Sequence, residues 1–372
     1  MTMKNTATMR NWRVTRTVMI VAGGTGGHVY PGLAVAEALR ARDVELHWMG
    51  TERGIEARVV PQAGVPLVTI PVSGLRRRGW WRWLAAPLVV SYAIWCALAA
   101  MRRIRPQVVL GMGGFVSGPG GIAAWLSRRP LIIHEQNAVP GLSNRILSHF
   151  ARRVLQGFPG SFAASVGAIT TGNPVRADIA AIAAPAARSH DAAALKVLVF
   201  GGSRGARALN ERVPQALAAC GVVNISVRHQ CGADDVAATE ARYRQVSNVA
   251  AVNVVPYIDD MPAAYAWADL VIARAGASSI AEIAACGVAS ILIPYPYAVD
   301  DHQTANARYL ANAEAALLMP EAGLSVESLA FEIGRLLNDA TIRGAMAERA
   351  RAQARPHATA EVAAQCLEFI DA

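Results

Sequence analysis

The sequence predicts an α/β protein made of two doubly wound, parallel-sheet domains in tandem. Three observations carry that prediction. Short apolar runs alternate with longer Ala-rich stretches, glycines stand at the junctions, and the whole rhythm restarts about half-way along the chain. At 372 residues there is room for two such domains, each with a full core.

Taken in order, Thr17–Ala22 reads as a first buried strand, because its apolar run leads directly into glycines and is too short for a signal-peptide core. The turn Gly23-Gly24-Thr25-Gly26-Gly27-His28 follows, and a helix is expected from about Pro31 to Ala41. Val44–Met49, Leu67–Ile70, Val108–Leu110 and Leu131–His134 read as further strands of βαβ units covered on both faces. Between them, Trp83 to Met101 carries no charged residue and approaches the length of a membrane span. Pro87 in its interior, Ser91, Tyr92 and arginines on both flanks argue instead for a helix of the domain. Leu75, Trp80, Trp81 and Trp83, interleaved with Arg76, Arg77, Arg78 and Arg82, are expected to rest on an anionic bilayer surface. The second round opens with the strand Lys196–Phe200, the turn Gly201-Gly202-Ser203-Arg204-Gly205-Ala206 and the helix Ala208–Ala219. The boundary between rounds falls near Gly172-Asn173-Pro174, or in the Ala/Pro-rich stretch Ala180–Ala194. From about Val326 the tail is helical, with Leu329, Ile333, Leu336 and Leu337 at helical spacing.

Composition excludes several classes. A chain that is 53% hydrophobic and 17% charged is not disordered, and 31 glycines without a G-X-Y period are not collagen. The net charge of +9 is unevenly spread: residues 1–175 hold 20 Lys+Arg and 6 Asp+Glu (+14), whereas residues 176–372 hold 16 and 21 (−5). Such asymmetry signals a partner for the front half: nucleic acid, an anionic membrane or an anionic substrate. No nucleic-acid-binding motif accompanies the basic residues, so no nucleic-acid partner is expected. Five scattered cysteines without C-x-x-C suit a reducing compartment rather than a disulfide framework.

Glycine turns between strand and helix let backbone N–H groups approach a phosphate at the positive end of a helix dipole. One such turn also serves tight packing, but four follow predicted strands here: Gly23–Gly27, Gly111–Gly121, Gly201–Gly205 and Arg274–Ser279. Together they imply a large anionic ligand held between the domains. A P-loop is excluded because the chain's lysines are Lys4 and Lys196 alone. The dinucleotide fingerprint fails at Val29, which leaves a dehydrogenase a poor reading despite Glu45 at about the ribose-binding position. With no D-x-D and no His/Cys cluster, neither a metal site nor a cofactor is expected.

Seven motifs then occur in one order over nearly the whole chain: GGTGGH (23–28), GGFVSGPG (113–120), HEQNAVPG (134–141), GNPVR (172–176), GGSRGA (201–206), RAGASSIAE (274–282) and PYPYAVDDHQTANA (294–307). The set resembles the MurG family of peptidoglycan N-acetylglucosaminyltransferases. That resemblance implies a GT-B glycosyltransferase fold, in which two Rossmann-like domains face a central cleft. It places an acceptor- and membrane-facing domain at 1–175, a UDP-sugar-binding domain at 176–340, and C-terminal helices returning toward the first domain at 341–372. It implies metal-independent, inverting transfer of N-acetylglucosamine from UDP-N-acetylglucosamine to the muramoyl 4-hydroxyl of lipid I. It further implies a peripheral location on the cytoplasmic face of the inner membrane, in the company of cell-wall assembly proteins. Two other readings stand beside it: a GT-B UDP-sugar transferase with a different lipid-linked acceptor, and a catalytically silent, membrane-associated UDP-sugar-binding protein.

By the same resemblance, Ala277, Ser278, Ser279, Ile280, Ala281 and Glu282 face the nucleotide, with Glu282 on the ribose hydroxyls. Ser203 would contact phosphate, Ile258 would meet uracil through its backbone, and Gln303 would contact the sugar. Arg176 and Asn137 would bind the nucleotide sugar, beside Thr25, Gly26 and Gly27. Gly113, Gly114, His134 and Glu135 are expected at the acceptor. His28 is the expected general base, because an imidazole titrates near neutrality and its loop faces the cleft, with Glu135 and His134 as rivals.

Overall fold

The computed structural model describes residues 16–72, 81–188, 194–202 and 205–371, with 81–86 in backbone only. Seven strands, β1 (Thr17–Ala22), β2 (Glu45–Gly50), β3 (Leu67–Thr69), β4 (Val108–Gly113), β5 (Leu131–Glu135), β6 (Arg153–Gln156) and β7 (Ile169–Thr170), form one sheet in the order β3-β2-β1-β4-β5-β6-β7. Six more, β8 (Leu195–Phe200), β9 (Ile225–Gln230), β10 (Val249–Val255), β11 (Leu270–Ala273), β12 (Ala289–Leu292) and β13 (Leu317–Leu318), form a second in the order β10-β9-β8-β11-β12-β13. All strand pairs are parallel.

The apolar runs have the physical reason expected of parallel sheets, which are covered on both faces. Along β1, Val18 and Ile20 enter one core with Leu39 and Trp48, while Met19 and Val21 enter another with Ala97 and Met101. Along β8, Val197 and Val199 face one way and Leu198 and Phe200 the other. Trp48 is wholly buried, and its indole N–H donates to the Ala22 carbonyl at 2.9 Å, so the large ring leaves no orphaned donor.

In both sheets the chain reverses its winding beside the first strand. In the first sheet β1 and β4 flank this switch point, and in the second β8 and β11 do. Ligands of doubly wound sheets bind at such points, beyond the carboxyl ends of the strands. The four glycine-bearing turns follow these four strands.

Two details differ from the sequence-based expectation. The first helix is Gly26–Arg40, beginning at Gly26 rather than near Pro31, so Gly26, Gly27 and His28 form its opening turn. Strand β4 continues through Gly111 to Gly113, and Gly118, Gly120 and Gly121 belong to the helix Ser117–Leu126, so much of the expected Gly111–Gly121 loop is regular structure. At the far end, the helix Ala340–Ala352 packs on the second domain, through Met346 and Ala350. Only the last helix, Ala358–Glu368, returns to the first, where Val362, Ala363 and Cys366 join its core.

Candidate active site in the interdomain cleft

The first switch point is organised around His28. Thr25 is the extended N-cap of the helix Gly26–Arg40; its carbonyl takes the N–H groups of His28 and Val29, which leaves those of Gly26 and Gly27 without an intrahelical acceptor. From beneath, the buried Glu56 carboxylate holds the turn in place. It accepts from Gly24 N at 3.0 Å, and from Thr51 N at 3.0 Å and Thr51 Oγ1 at 2.6 Å. Strand β4 and the residue after it press against the same turn through Gly113 and Gly114, whose φ values are +101° and +84°. A Cβ on Gly113 would lie 2.6 Å from His28 Nδ1, and one on Gly114 2.0 Å from the Gly23 carbonyl oxygen, so only glycine fits either place.

Behind His28 lies a polar chain from β5 and the segment after it. His28 Nδ1 is 2.9 Å from Gln136 Oε1. Gln136 Nε2 is 3.1 Å from His134 Nδ1 and 3.2 Å from the His134 carbonyl. His134 Nε2 reaches the Gly172 carbonyl at 2.9 Å. Burial pushes the His134 pKa down to about 4, so the ring is neutral at physiological pH.

The second domain meets this turn across the cleft. The helix Ala277–Cys286 starts after β11 with Gly276 as its N-cap, and Ser278 Oγ donates to the Gly27 carbonyl at 3.3 Å. That carbonyl is available because Pro31, four residues on, has no N–H to give it. Tyr30 and Tyr257 join hydroxyl to hydroxyl at 2.8 Å. The Arg176 guanidinium lies over the Tyr30 ring, 5.8 Å from its centroid. Close to it, Glu282 accepts from Tyr265 OH at 3.0 Å; burial raises the Glu282 carboxyl to about 7, while the Arg176 charge pulls it down. Among the described residues, no three His, Cys, Asp or Glu side chains converge as a metal site.

Comparison with known proteins adds the lineage. The profile of the glycosyltransferase family 28 N-terminal domain matches residues 18–156, and that of the family 28 C-terminal domain matches 196–362. The chain belongs to glycosyltransferase family 28. Over 357 residues it is 53% identical to the "UDP-N-acetylglucosamine--N-acetylmuramyl-(pentapeptide) pyrophosphoryl-undecaprenol N-acetylglucosamine transferase" of Alkalilimnicola ehrlichii, covering 95% of this chain and 99% of that one. A relative of the same name in Nitrosococcus oceani is 52% identical, over 94% and 98% of the two chains. The crystal structure of Acinetobacter baumannii MurG has a TM-score of 0.80 at 39% identity, covering 95% of this chain and 99% of that one. Within family 28 the chain is thus on the MurG branch, with the GT-B fold.

With that family architecture in view, the expected site residues separate into three groups. Thr25, Gly26, Gly27, His28, Arg176, Ser278, Ser279 and Glu282 gather at the two facing switch points. Asn137 and Gln303 lie at the cleft margin. Asn137 donates through Nδ2 to Glu135, and its Oδ1 accepts from Asn306 Nδ2 at 3.2 Å. Gln303 Oε1 accepts from Tyr295 N at 2.9 Å, which leaves its amide N–H groups for a ligand. Ala277 opens the helix with its side chain buried, and Ile258 sits half-buried after β10, against the same apolar layer.

Several expectations are corrected. His134 and Glu135 do not face an acceptor: they are 0% and 2% exposed, and their side chains are bonded internally. Glu135 accepts from Asn137 N and Nδ2 through Oε1, and from Gly141 N and Asn144 Nδ2 through Oε2, so it shapes its loop and has no lone pair aimed at a substrate. Gly113 is buried beneath His28, where it serves the packing of the loop; Gly114 is half-buried and abuts the Gly23 backbone. The Ile280 side chain is in the core of the second domain, and Ala281 lines a small cavity near the interdomain crossing with Phe158, Tyr309 and Thr359; neither placement bears on the expected approach of this helix's opening turn to the nucleotide. Ser203 lies outside the described residues, as do Leu75, Trp80 and the side chains of Trp81 and Trp83.

Sequence reasoning missed Asn306 and Gln136. Asn306 is wholly buried, accepts from Ala138 N at 2.8 Å, and donates to Asn137 Oδ1 and the Ala275 carbonyl, so one amide ties both domains together. Its signal was a polar residue one helical turn after Gln303 in the PYPYAVDDHQTANA motif.

Proposed function

We infer that the chain transfers N-acetylglucosamine from UDP-N-acetylglucosamine to the muramoyl 4-hydroxyl of lipid I, with inversion at the sugar, to give lipid II. The observation that carries this reading is the apposition of His28, on one helix N-terminus, to the Ala277–Cys286 helix N-terminus with Arg176 and Glu282. The donor nucleotide would lie against the second switch point, its ribose hydroxyls donating to Glu282. As the glycosidic bond to UDP breaks, negative charge grows on the diphosphate. The helix N-terminus and Arg176 would stabilise that charge from fixed positions, with no reorganisation during the step. The acceptor hydroxyl attacks the anomeric carbon from the opposite face and gives its proton to His28. The first domain (1–175) would carry the acceptor, the second (176–340) the donor, and the last segment (341–372) would bind the two together.

The assay uses labelled UDP-N-acetylglucosamine, a short-chain lipid I analogue and a chelator. Transfer of label to the acceptor is expected. A folded protein that binds UDP yet transfers nothing supports the silent binding protein, and transfer only to another lipid-linked acceptor supports the alternative transferase.

An acceptor with a long lipid tail requires the enzyme to visit the bilayer. A peripheral position on the inner face of the membrane is favoured by a run of exposed apolar side chains on the first domain. Leu88, Tyr92 and Trp95 share one face of the helix Trp81–Ile104, while Ala93, Ala97 and Ala100 on the other are buried. By length and composition that helix could cross a membrane, but its buried alanine face covers the first sheet. Trp125 and Leu126 end the adjacent helix Ser117–Leu126, Leu142 and Ile146 lie on the next, Leu142–Leu147, and Phe150 follows it. Arg102, Arg103 and Arg128 are exposed around them, the pairing of apolar and basic groups that suits an anionic interface.

A further inference from the structure

We propose that Gln136 and His134 are positioning residues that select one tautomer of His28, with the proton on Nδ1 and the Nε2 lone pair free for the acceptor hydroxyl. The inference deepens the reading of His28 as the base and rests on it.

The assignment follows from donor and acceptor chemistry, starting at the buried end. A carbonyl oxygen only accepts, so the contact between His134 Nε2 and the Gly172 carbonyl requires the hydrogen on Nε2. The His134 ring is wholly buried and neutral, so its Nδ1 carries a lone pair. That lone pair needs a donor, and the group facing it at 3.1 Å must be the NH2 of Gln136. The same NH2 lies 3.2 Å from the His134 carbonyl, a second acceptor that agrees. The amide oxygen of Gln136 therefore faces His28 Nδ1 at 2.9 Å. An amide oxygen cannot donate, so His28 Nδ1 carries the hydrogen. Turning the Gln136 amide over would set its oxygen against both the His134 lone pair and the His134 carbonyl. The orientation is thus determined twice.

This matters because a neutral histidine in water prefers its hydrogen on Nε2, the position a base must keep empty. Nε2 of His28 stands on the edge of the ring away from Gln136, and Gly113 packed against the ring holds it in that attitude. The chain is not a proton relay. It ends on the Gly172 carbonyl, so the hydroxyl proton goes to His28 Nε2 and the hydrogen on Nδ1 stays where it is. Gln136 and His134 act only by orientation, the part that a buried partner plays for a histidine base elsewhere.

The test is 15N NMR of the full-length protein labelled at histidine, at neutral pH, with the His28 signals assigned by their loss in His28→Gln. The expected wild-type result is a protonated Nδ1 and a bare Nε2 on His28. Gln136→Met keeps the chain length and removes the amide; it should move His28 toward the Nε2–H form and lower kcat by about 10- to 100-fold, with KM for UDP-N-acetylglucosamine little changed. His134→Phe, which frees the Gln136 amide to turn over, should give a mixture of tautomers and an intermediate loss. A wild-type His28 protonated on Nε2, or a Gln136→Met protein with the wild-type tautomer and kcat, overturns the proposal. Should Gln136→Met not fold, the wild-type spectrum and His134→Phe decide. Full turnover in His28→Gln is a different outcome: it removes the base reading itself, whichever tautomer the spectrum records.

Discussion

At the scale of single residues, burial sets the protonation of two groups in and behind the site, Glu282 and His134. Glu282 is the clearest case for function. With its carboxyl raised to about 7, it is largely neutral at pH 6 and largely ionised at pH 8. Ribose hydroxyls donate to the ionised form, so binding of UDP-N-acetylglucosamine should tighten by about tenfold from pH 6 to pH 8 and level off above. Glu282→Gln should flatten that dependence, as read by calorimetric titration across the range; a wild-type Kd that is constant with pH would count against the assignment. Stability has a residue-scale counterpart. His134 and His229 are buried and neutral, with pKa values lowered to about 4 and about 3. Their folded values lie below the unfolded value of 6.5, so their contribution is complete above pH 6.5 and is lost as the pH falls through about 4 and then about 3. Thermal melts should show Tm falling between pH 6.5 and pH 4, and falling less in a variant in which His229 is replaced by Gln. An unchanged Tm over that interval would contradict this account.

Elements bring these residues together through close backbone contacts. The turn of residues 23–28 is clamped between the Glu56 carboxylate and strand β4. Gly114→Ala would place a methyl against the Gly23 carbonyl at a positive φ, and neither backbone can yield without moving His28. A loss of about 2–4 kcal/mol is expected from clash and left-handed strain together. Urea denaturation checks the stability, and turnover should fall further than the unfolded fraction explains. Gly118→Ala, with open space apart from Ser143 Oγ at 3.8 Å, is the contrast and should be near neutral. The same scale explains the uneven legibility of the sequence. Strands β1, β4, β5 and β8 were readable because each is a run of apolar residues ending at a glycine or at His134-Glu135. Strand β9 (ISVRHQ) carries Arg228 and His229, and β7 and β13 are two residues each, so local composition could not announce them. They are strands because a neighbour's open edge pairs with them. The helix start at Gly26 was hidden for a related reason: glycines lower helix propensity, and only the packing of β4 on that turn makes a helical opening favourable.

For the whole molecule, the two switch points face each other, and a few polar links span the gap: Ser278 to Gly27, Tyr30 to Tyr257, Asn306 to Ala138 and Asn137, and the surface pair Arg145–Asp300 at 3.0 Å. The exposed apolar face on the first domain gives a prediction at this scale. Replacing Leu88, Trp95 and Trp125 together with serine should lower binding to vesicles rich in anionic lipid by at least about tenfold, with transfer to a water-soluble acceptor analogue intact. Co-sedimentation measures the binding; retention of full vesicle binding would place the interface elsewhere.

The tandem α/β architecture, the glycine turns and the division of charge between +14 and −5 were determined by the sequence itself, because buried strands, strand–helix junctions and titratable side chains are local properties. Which polar residues of a motif meet the substrate was decided only in three dimensions. In His134-Glu135-Gln136-Asn137 alternate residues of a strand end point to opposite sides, and the surrounding helices bury His134, Glu135 and Gln136 while leaving Asn137 at the cleft. Burial turns His134 and Gln136 into the frame that holds His28, and Glu135 into the brace of its own loop; the first role depends on a contact across 108 residues of sequence between Gln136 and His28.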